Sequence, residues 1–280
     1  MEDKAYAKIN LALDVVSRRE DGYHNLNTIM VPISLYDVLT IEKAEKMSFF
    51  SKGMVFDAKN TIVKAVLYMK KRFNISDNFK VTLVKNIPAQ AGLGGGSSDG
   101  ACAIRILNKM YSLNMSKEEI KKACMFVGAD VLFTYYNIPS VVQGIGDILK
   151  PIVVKENKYV LIVKPKAGVS TKEAYQNLDI ISCDHPDIKM IVDRIKEGFF
   201  YDHLLSNSLE EGALEMCPEI MEAKKELRDA GFDYPLMTGS GSCVFVLSDN
   251  LNNLMDLKDI LKKKFEYVCV TNFLLPKKQK

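Results

Sequence analysis

Residues 88–98 carry the most constraining pattern of the chain, because four glycines and two serines stand between a strand pattern and a helix pattern. Glycine lets the backbone approach a ligand closely, and successive N–H groups in such a turn can bind an anion. The start of the helix that follows adds a partial positive charge. The sequence therefore predicts a site for nucleotide phosphates in this segment, the phosphate loop, which consists of Pro88, Ala89, Gln90, Ala91, Gly92, Leu93, Gly94, Gly95, Gly96, Ser97 and Ser98.

The phosphate loop differs from two familiar nucleotide motifs. No Gly-Lys-Ser/Thr closes it, so it is not a Walker A sequence. No acidic residue ends a suitable second strand about 20 residues later, as a dinucleotide fingerprint requires. A flexible surface turn is the other interpretation, and the direct continuation into a helix disfavours it.

The first strand is predicted from strict alternation over residues 5–16. Side chains two residues apart in a strand point to the same face, so Lys8 and Asn10 are expected side by side. A lysine on such a strand either snorkels at an edge or stabilises a nearby carboxylate and the charge on a transferring phosphoryl group.

Further elements follow along the chain. Asn60 is a predicted N-cap, residues 79–83 alternate as a strand, and a helix is expected from about Ser98 to Met110. Ser116 opens a capping box, and Gly128 is placed where that helix ends. Further strands are predicted near 27–33, 37–43, 47–51, 158–164, 242–248 and 267–272, and helices near 186–198, 218–230 and 252–264.

The order of these elements predicts an α+β fold in two domains, with Pro151 near the boundary. We expect an N-terminal ATP-binding domain over residues 1–153 and a C-terminal domain over residues 154–280.

Composition excludes several classes of protein. The 280 residues include 38 basic and 35 acidic side chains, a balance that does not indicate a nucleic-acid partner. No apolar run reaches the roughly 18 residues that span a bilayer, so no membrane partner is expected. Six cysteines form no Cys-x-x-Cys pair, and with three histidines a metal site is not expected. We expect a cytoplasmic protein, and the sequence does not indicate an oligomeric state.

Asp130 is a candidate catalytic carboxylate. It follows Gly128-Ala129 and precedes the apolar residues 131–133, which are predicted to form a buried strand. A carboxylate at the entry of a buried strand either acts as a general base on a substrate hydroxyl or caps a turn.

Other segments have two interpretations each. Tyr23-His24 and Tyr175 are candidate aromatic platforms for a ring, or packing residues. Thr238–Ser242, the second glycine segment, is a tight turn or a second phosphate-facing loop. His185 and His203 are expected at the surface or at helix ends.

Five segments in this order resemble the GHMP small-molecule kinases. They are Ala7-Lys8-Ile9-Asn10-Leu11, Asp21-Gly22-Tyr23-His24, Pro88 to Ser98, Gly128-Ala129-Asp130-Val131 and Met237 to Cys243. The resemblance covers nearly the whole chain. Leu132 stands where the family usually has proline.

The resemblance implies an N-terminal domain like ribosomal protein S5 domain 2, a ferredoxin-like C-terminal domain, and a site between them. It also implies transfer of the γ-phosphoryl group of ATP, bound as its Mg²⁺ complex, to the 2-hydroxyl of 4-diphosphocytidyl-2-C-methyl-D-erythritol in non-mevalonate isoprenoid synthesis.

Roles for single residues are implied in the same way. Lys8 and Asp130 match the catalytic pair of the family, Asn60 and Lys85 match positions near the adenosine, and the phosphate loop matches its ATP loop. Residues that match substrate-binding positions are Tyr23, His24 and Tyr175 at the cytosine, and Asn10, Thr238, Gly239, Ser240 and Gly241 near the polar part of the substrate.

Two alternatives remain open on the sequence. One is another GHMP kinase for a small alcohol such as mevalonate or homoserine. The other is a nucleotide-binding regulator without catalysis.

Overall fold

A computed structural model describes residues 1–276 of the chain. The chain folds into two compact units. Unit 1 comprises Met1–Ala7, Leu35–Ile87 and Gly94–Asn137, and unit 2 comprises Lys8–Ser34, Pro88–Leu93 and the chain from Ile138 onward. The domain boundary predicted between residues 153 and 154 stays a prediction.

Ten strands form two sheets within residues 1–276. The strands are β1 Glu2–Arg18, β2 His24–Ala44, β3 Ser48–Phe50, β4 Asn78–Val84, β5 Ser140–Gly144, β6 Ile148–Pro151, β7 Tyr159–Lys164, β8 Leu236–Met237, β9 Val244–Ser248 and β10 Tyr267–Asn272. One sheet has the order β3-β4-β2-β5-β6 with β1 paired to β2, and the other has the order β10-β7-β9-β8.

Nine α-helices and one 3₁₀ turn lie within residues 1–276. They are α1 Thr61–Arg72, α2 Gly95–Met110, α3 Lys117–Val127, α4 Val131–Tyr136, α5 Thr171–Gln176, α6 Ile188–Glu197, the 3₁₀ turn Asp202–Leu204, α7 Glu210–Met216, α8 Glu219–Asp229 and α9 Leu251–Leu261. None of the helices in this part of the chain is long and apolar enough to cross a membrane.

In unit 1, the second half of β2 pairs antiparallel with β4, and β3 pairs parallel with β4. Leu39 lies opposite Leu83 and Ile41 opposite Val81 in this register. All four side chains are buried, as is Phe79. Alternation with polar residues therefore places one face of these strands in the core, as the sequence pattern predicted.

Helix caps in unit 1 confirm the predicted helix starts. The Asn60 side chain accepts hydrogen bonds from the amides of Ile62 and Val63 at 2.9 and 3.4 Å. Ser116 and Glu119 form the reciprocal capping box at the start of α3. Each cap satisfies amides that have no partner inside the helix, which fixes where the helix begins.

Unit 2 contains the four-stranded antiparallel sheet and the pairing of the first half of β2 with β5. Helices α7, α8 and α9 contribute apolar side chains to the same core as this sheet, among them Ala213, Leu227 and Leu254. The three strands predicted in the second half of the chain are confirmed, with ends that differ by two residues at most.

Two predictions of secondary structure were wrong. The strands expected near 27–33 and 37–43 are one continuous strand, β2, because no residue between them forces a turn. Val131–Phe133 do not form a buried strand but the first turn of α4. An apolar run of three residues is too short to reveal its period, so the sequence favoured the wrong element there.

Candidate active site

The phosphate loop and the second glycine segment lie against each other in unit 2. The carbonyl oxygen of Gln90 accepts a hydrogen bond from the amide of Ser242 at 3.3 Å. Gly92 has a φ of +70°, and a Cβ atom there would be 1.9 Å from the carbonyl oxygen of Thr238. Only glycine fits this close approach of two backbones. The structure therefore brings together the two glycine-containing segments that the sequence singled out.

Lys8 and Asn10 lie beside this junction on β1, on the same face of the strand as predicted. They are only 3% and 1% exposed. The ammonium group of Lys8 donates hydrogen bonds to Asn10 Oδ1 at 2.7 Å and to the carbonyl oxygen of Gly92 at 2.9 Å. The buried lysine is thus fixed in direct contact with the phosphate loop.

Asn10 is held in turn by residues that the sequence analysis did not identify. Its side-chain nitrogen donates a hydrogen bond to Thr28 Oγ1 at 2.8 Å, and its backbone N–H donates one to Thr238 Oγ1 at 3.0 Å. Asn207 donates to the carbonyl oxygen of Gly239 at 2.8 Å. Thr28 and Asn207 are single polar positions, distant in sequence and without a motif, so no sequence pattern could indicate them.

Unit 1 contains the second part of the phosphate loop, at the start of α2. Gly94 adopts the left-handed conformation with a φ of +69°. The first bond of the helix runs from the amide of Ser98 to the carbonyl oxygen of Gly94 at 2.9 Å, and the Ser98 hydroxyl donates to the carbonyl oxygen of Tyr6. The amides of Gly95 and Gly96 precede this first bond. They are therefore available to an anion, at the positive end of a helix of 16 residues.

The start of α1 touches the same part of the phosphate loop. Thr61 Oγ1 donates a hydrogen bond to the carbonyl oxygen of Gly96 at 2.5 Å, and Asn60 is the residue before it. The cap of α1 thus holds Asn60 next to the glycines of α2. The role of Asn60 near the adenosine stays a prediction.

Lys85 forms a charged cluster with Asp37 and Asp99, the Lys85 cluster. Its ammonium nitrogen lies 2.5 Å from Asp37 Oδ2 and 3.0 Å from Asp99 Oδ2. Both carboxylates are buried, with side chains 0% and 3% exposed. A Cβ atom at Gly95 would be 3.2 Å from the same nitrogen, so the cluster lies directly under the first turn of α2.

The two aspartates of the cluster are in different environments. Asp37 Oδ1 accepts hydrogen bonds from the amides of Asn86 and Ile87 at 2.5 and 2.8 Å. Within residues 1–276, Asp99 Oδ1 is buried and has no hydrogen-bond partner. Sequence reasoning missed both residues. Asp99 had one usable signal, because it is an acidic residue in the first turn of a helix that follows a phosphate-type loop.

Burial dominates the titration of this cluster. It raises the pKa of Asp99 to about 7, against the opposing charge of Lys85 and with the support of the Asp37 charge. For Lys85, burial lowers the pKa, but the charges of Asp99 and Asp37 outweigh it and the net pKa is raised. Lys85 is therefore charged at neutral pH, and Asp99 is the carboxyl group that loses its charge first as the pH falls.

Asp130 lies in unit 1 at the N-terminus of α4. It is half-buried, and its carbonyl oxygen accepts hydrogen bonds from the amide and the hydroxyl of Thr134, each at 3.1 Å. Its carboxylate makes no capping bond to the helix. The capping interpretation of this side chain therefore loses its main support. Leu132, where the family usually has proline, is the second residue of α4.

The aromatic candidates lie in unit 2, and the structure brings two of them together. The rings of His24 and Tyr175 are 5.2 Å apart and tilted by 33°. Tyr23 is 57% exposed at the turn before β2. Burial and the charge of Arg18 lower the pKa of His24, so its imidazole is neutral at pH 7. A neutral ring in contact with a tyrosine suits the binding of a planar uncharged base.

His185 is exposed at the surface, as predicted, and its ring nitrogens have two partners. Its Nδ1 lies 2.6 Å from Asp14 Oδ1, and its Nε2 lies 2.8 Å from the carbonyl oxygen of Ile180. The hydrogen bond to Asp14 is the largest cause of its raised pKa. Asp14 lies on the β1 face that carries Lys8 and Asn10. The alternation pattern of β1 included Asp14, but it gave no sign that this residue contacts a histidine.

Within residues 1–276, no three His, Cys, Asp or Glu side chains are grouped so that they could hold a metal ion.

Comparisons with known proteins agree with this arrangement of loops. Residues 60–137 match the family model of the GHMP kinases N terminal domain, and residues 192–266 match that of the GHMP kinases C terminal. A relative from Clostridium beijerinckii named 4-diphosphocytidyl-2-C-methyl-D-erythritol kinase is 37% identical over 277 residues, covering 97% of this chain and 99% of its own. The chain belongs to the GHMP kinases. It is an ATP-dependent small-molecule kinase.

Solved structures of GHMP kinases extend the likeness to the whole chain. A crystal structure of 4-(cytidine 5'-diphospho)-2C-methyl-D-erythritol kinase matches with a TM-score of 0.84 and 28% identity, covering 98% of this chain and 99% of the other. Homoserine kinase from Cytophaga hutchinsonii matches with a TM-score of 0.68 at 17% identity, covering 96% and 94%. The second match shows the fold alone. The predicted α+β fold of the GHMP kinase type is confirmed.

Proposed function

We propose that this GHMP kinase transfers the γ-phosphoryl group of ATP to the 2-hydroxyl of 4-diphosphocytidyl-2-C-methyl-D-erythritol, in the non-mevalonate route to isoprenoid precursors in the cytoplasm. The observation that carries the proposal is the match over 97% of the chain to a relative named for that substrate. Kinases for homoserine and mevalonate share the fold at much lower identity. Fold alone does not specify a substrate, so residues of the site must support the choice.

The cytidyl end of the substrate is proposed to bind at His24, Tyr175 and Tyr23. Two of these rings already contact each other, and the neutral imidazole of His24 has one nitrogen that donates and one that accepts a hydrogen bond. The edge of cytosine offers donors and acceptors of the same kind. An aromatic pair of this kind has no evident use for mevalonate or homoserine, which contain no ring.

The nucleotide is proposed to bind at the phosphate loop, with Asn60 and Lys85 near its adenosine. The loop fits a polyphosphate because the amides of Gly95 and Gly96 and the helix dipole of α2 all favour an anion. Bound ATP would supply the phosphoryl group, and Mg²⁺ would enter with it as the complex. The loop residues would hold the phosphates and exclude water from them.

The catalytic roles are proposed for Lys8 and Asp130. The carboxylate of Asp130 would accept the proton of the substrate hydroxyl or orient that hydroxyl for attack. The ammonium of Lys8, oriented by Asn10 and Gly92, would stabilise the negative charge on the transferring group. Positioning and electrostatics supply most of the catalysis of phosphoryl transfer, so this small set of groups is sufficient. Asn10 and the second glycine segment would hold the polar part of the substrate.

The proposal is tested by following ADP release from the purified protein with ATP, Mg²⁺ and one alcohol at a time. We expect turnover with the cytidyl substrate and none above background with mevalonate or homoserine. Turnover with either of those two alcohols alone would assign a different kinase. Nucleotide binding without turnover on any alcohol would support the regulator instead.

The role of Asp130 is tested in the same assay. Asp130→Asn keeps the size of the side chain and removes the base, so kcat should fall by about 10²–10⁴-fold while the affinity for ATP stays the same. Glu118→Gln, in the exposed first turn of α3 of the same unit, is the control and should keep full activity. A fully active Asp130→Asn enzyme would remove the assignment of the base.

A further inference from the structure

The Lys85 cluster carries an excess of negative charge next to the proposed site of the nucleotide phosphates. A site for an anion needs positive charge there. Two buried carboxylates share a single ammonium group, so the cluster carries a net charge of −1 when both are ionised. It lies under the first turn of α2, with the ammonium 3.2 Å from the position of a Cβ at Gly95. A polyphosphate bound to that turn would be repelled by the excess negative charge.

Asp99 is the member of the cluster that can remove this charge. Both oxygens of Asp37 have partners, because two backbone amides donate to its Oδ1 and Lys85 contacts its Oδ2. Asp99 Oδ1 is buried and has no hydrogen-bond partner among residues 1–276, so the anionic form lacks stabilisation on that oxygen. Burial also places the pKa of Asp99 at about 7 before any anion is bound.

The charged and titratable groups that act on Asp99 come from three elements. Lys85 follows β4, Asp37 lies on β2, and Cys102 lies one turn further along α2. The thiol of Cys102 has a pKa raised far above neutral by burial, so it stays uncharged. Asp99, by contrast, changes charge near neutral pH.

We propose that binding of the nucleotide phosphates at the first turn of α2 is coupled to the uptake of one proton by the Lys85 cluster, at the carboxylate of Asp99. The proton comes from solvent and leaves Asp37 and Lys85 as a neutral ion pair, so the net charge of the cluster rises from −1 to 0. Lys85 then keeps its position while the cluster no longer repels the phosphates. This inference rests on the proposed ATP site.

The sign of the pH dependence follows from linkage. Nucleotide raises the pKa of Asp99 further, so affinity is highest at low pH, where Asp99 is already protonated. Affinity falls as the pH rises through 7 and becomes constant above the pKa of the bound state. Within that window, one coupled proton changes the Kd by up to about tenfold per pH unit.

The test is calorimetric titration of the protein with ADP at pH 6, 7.5 and 9, in Tris and in PIPES or another buffer of lower ionisation enthalpy. The dependence of the observed enthalpy on the buffer gives the number of protons taken up. Wild-type protein should take up more protons at pH 7.5 than Asp99→Asn, and comparison with this variant cancels the protons that ADP itself exchanges. Asp99→Asn should also bind ADP more tightly than wild type at pH 9 and equally at pH 6.

Glu118→Gln is the matched control, because it removes one negative charge from the exposed first turn of α3. It should behave like wild type at every pH. A second measurement needs no variant: the ¹³C shift of the Asp99 carboxyl group, titrated with and without saturating ADP, should show a higher pKa when ADP is bound.

The outcomes separate the two proposals. Equal proton uptake by wild type and Asp99→Asn, or an Asp99 pKa that ADP leaves unchanged, would overturn the coupling and leave the ATP site standing. Absence of any ADP or ATP binding by the wild-type protein would overturn the ATP site and the coupling with it.

Discussion

Two lysines lie next to the phosphate loop, one in each unit, and their hydrogen-bond partners differ. Lys8 donates to an amide oxygen and a backbone carbonyl, which are both neutral. Lys85 lies between two carboxylates. Both side chains are largely removed from water, at 3% exposure for the residue Lys8 and 20% for the side chain of Lys85.

The difference in partners distinguishes two uses of a lysine ammonium group beside the phosphate loop. The hydrogen bonds to Asn10 and Gly92 orient the Lys8 ammonium beside the phosphate loop, where we expect its charge to act on a transferring group. Carboxylates cancel the charge of Lys85 and depend on it for their own stability. We therefore expect loss of Lys8 to act on the rate and loss of Lys85 to act on folding.

The largest effect is expected for Lys85→Met. This change leaves two buried carboxylates without their counter-ion, which costs about 3–5 kcal/mol of the free energy of unfolding. Urea denaturation at pH 8 measures it. Lys85 lowers the pKa of Asp99, so its removal raises that pKa above the value of about 7 in the wild type. The loss should therefore be smaller at pH 6, where Asp99 is uncharged in both proteins, than at pH 8.

Adding Asp99→Asn to Lys85→Met is the control for that prediction, since it removes one of the unpaired charges. The double variant should recover part of the lost stability at pH 8 and little at pH 6. A Lys85→Met protein as stable as wild type at both pH values would contradict the role of Lys85 as the counter-ion.

The next effect is expected for Lys8→Met, which retains the length of the side chain but not its charge. The kcat should fall by about 10²–10³-fold, the usual effect of removing one charge-stabilising group from a transition state. The free energy of unfolding should change less than in Lys85→Met. Steady-state kinetics and urea denaturation measure the two quantities.

Lys4→Met is the matched control for Lys8→Met, because Lys4 is an exposed lysine on the same strand. It should keep the wild-type kcat. A Lys8→Met protein that lost stability but kept the wild-type kcat would contradict the expectation that Lys8 acts on the rate and Lys85 on folding.

The smallest effect is expected for Thr238→Val. It removes the hydroxyl that accepts the hydrogen bond from the amide of Asn10 at 3.0 Å, and an unsatisfied buried amide costs about 1–2 kcal/mol. Thr238→Ser keeps the oxygen and should retain most of the stability. Thermal or urea unfolding of both variants checks whether the second glycine segment orients the Lys8–Asn10 pair, and equal stability of the valine variant would argue against it.

Much of the fold follows from local patterns. Alternation identified β1 and put Lys8 beside Asn10, and the capping residues Asn60 and Ser116 fixed the starts of α1 and α3. These signals are strong because strands and helix ends depend on neighbours in sequence. The run at Val131–Phe133 was too short for its period to be recognised, and its helix depends on packing inside unit 1 instead.

Less of the candidate site than of the fold could be predicted from the sequence. The phosphate loop is local, so the sequence could single out its residues, and their role in binding phosphate stays a prediction. Asp37 and Asp99 were not, because they meet Lys85 only after β2, β4 and α2 have packed together. The catalytic roles of Lys8 and Asp130 and the cytosine site at His24 stay predictions.

The sequence by itself determined the glycine-rich loop, its helix, the strand that carries Lys8, and the kinase family to which the chain belongs. Those features lie within short segments, where spacing and residue type are sufficient. Only the tertiary structure decided that Gly92 meets Thr238, that Lys85 is shared by two aspartates, and that His24 contacts Tyr175. Each of these contacts joins residues far apart in sequence, and the burial that sets the pKa of Asp99 exists only once the core around it has formed.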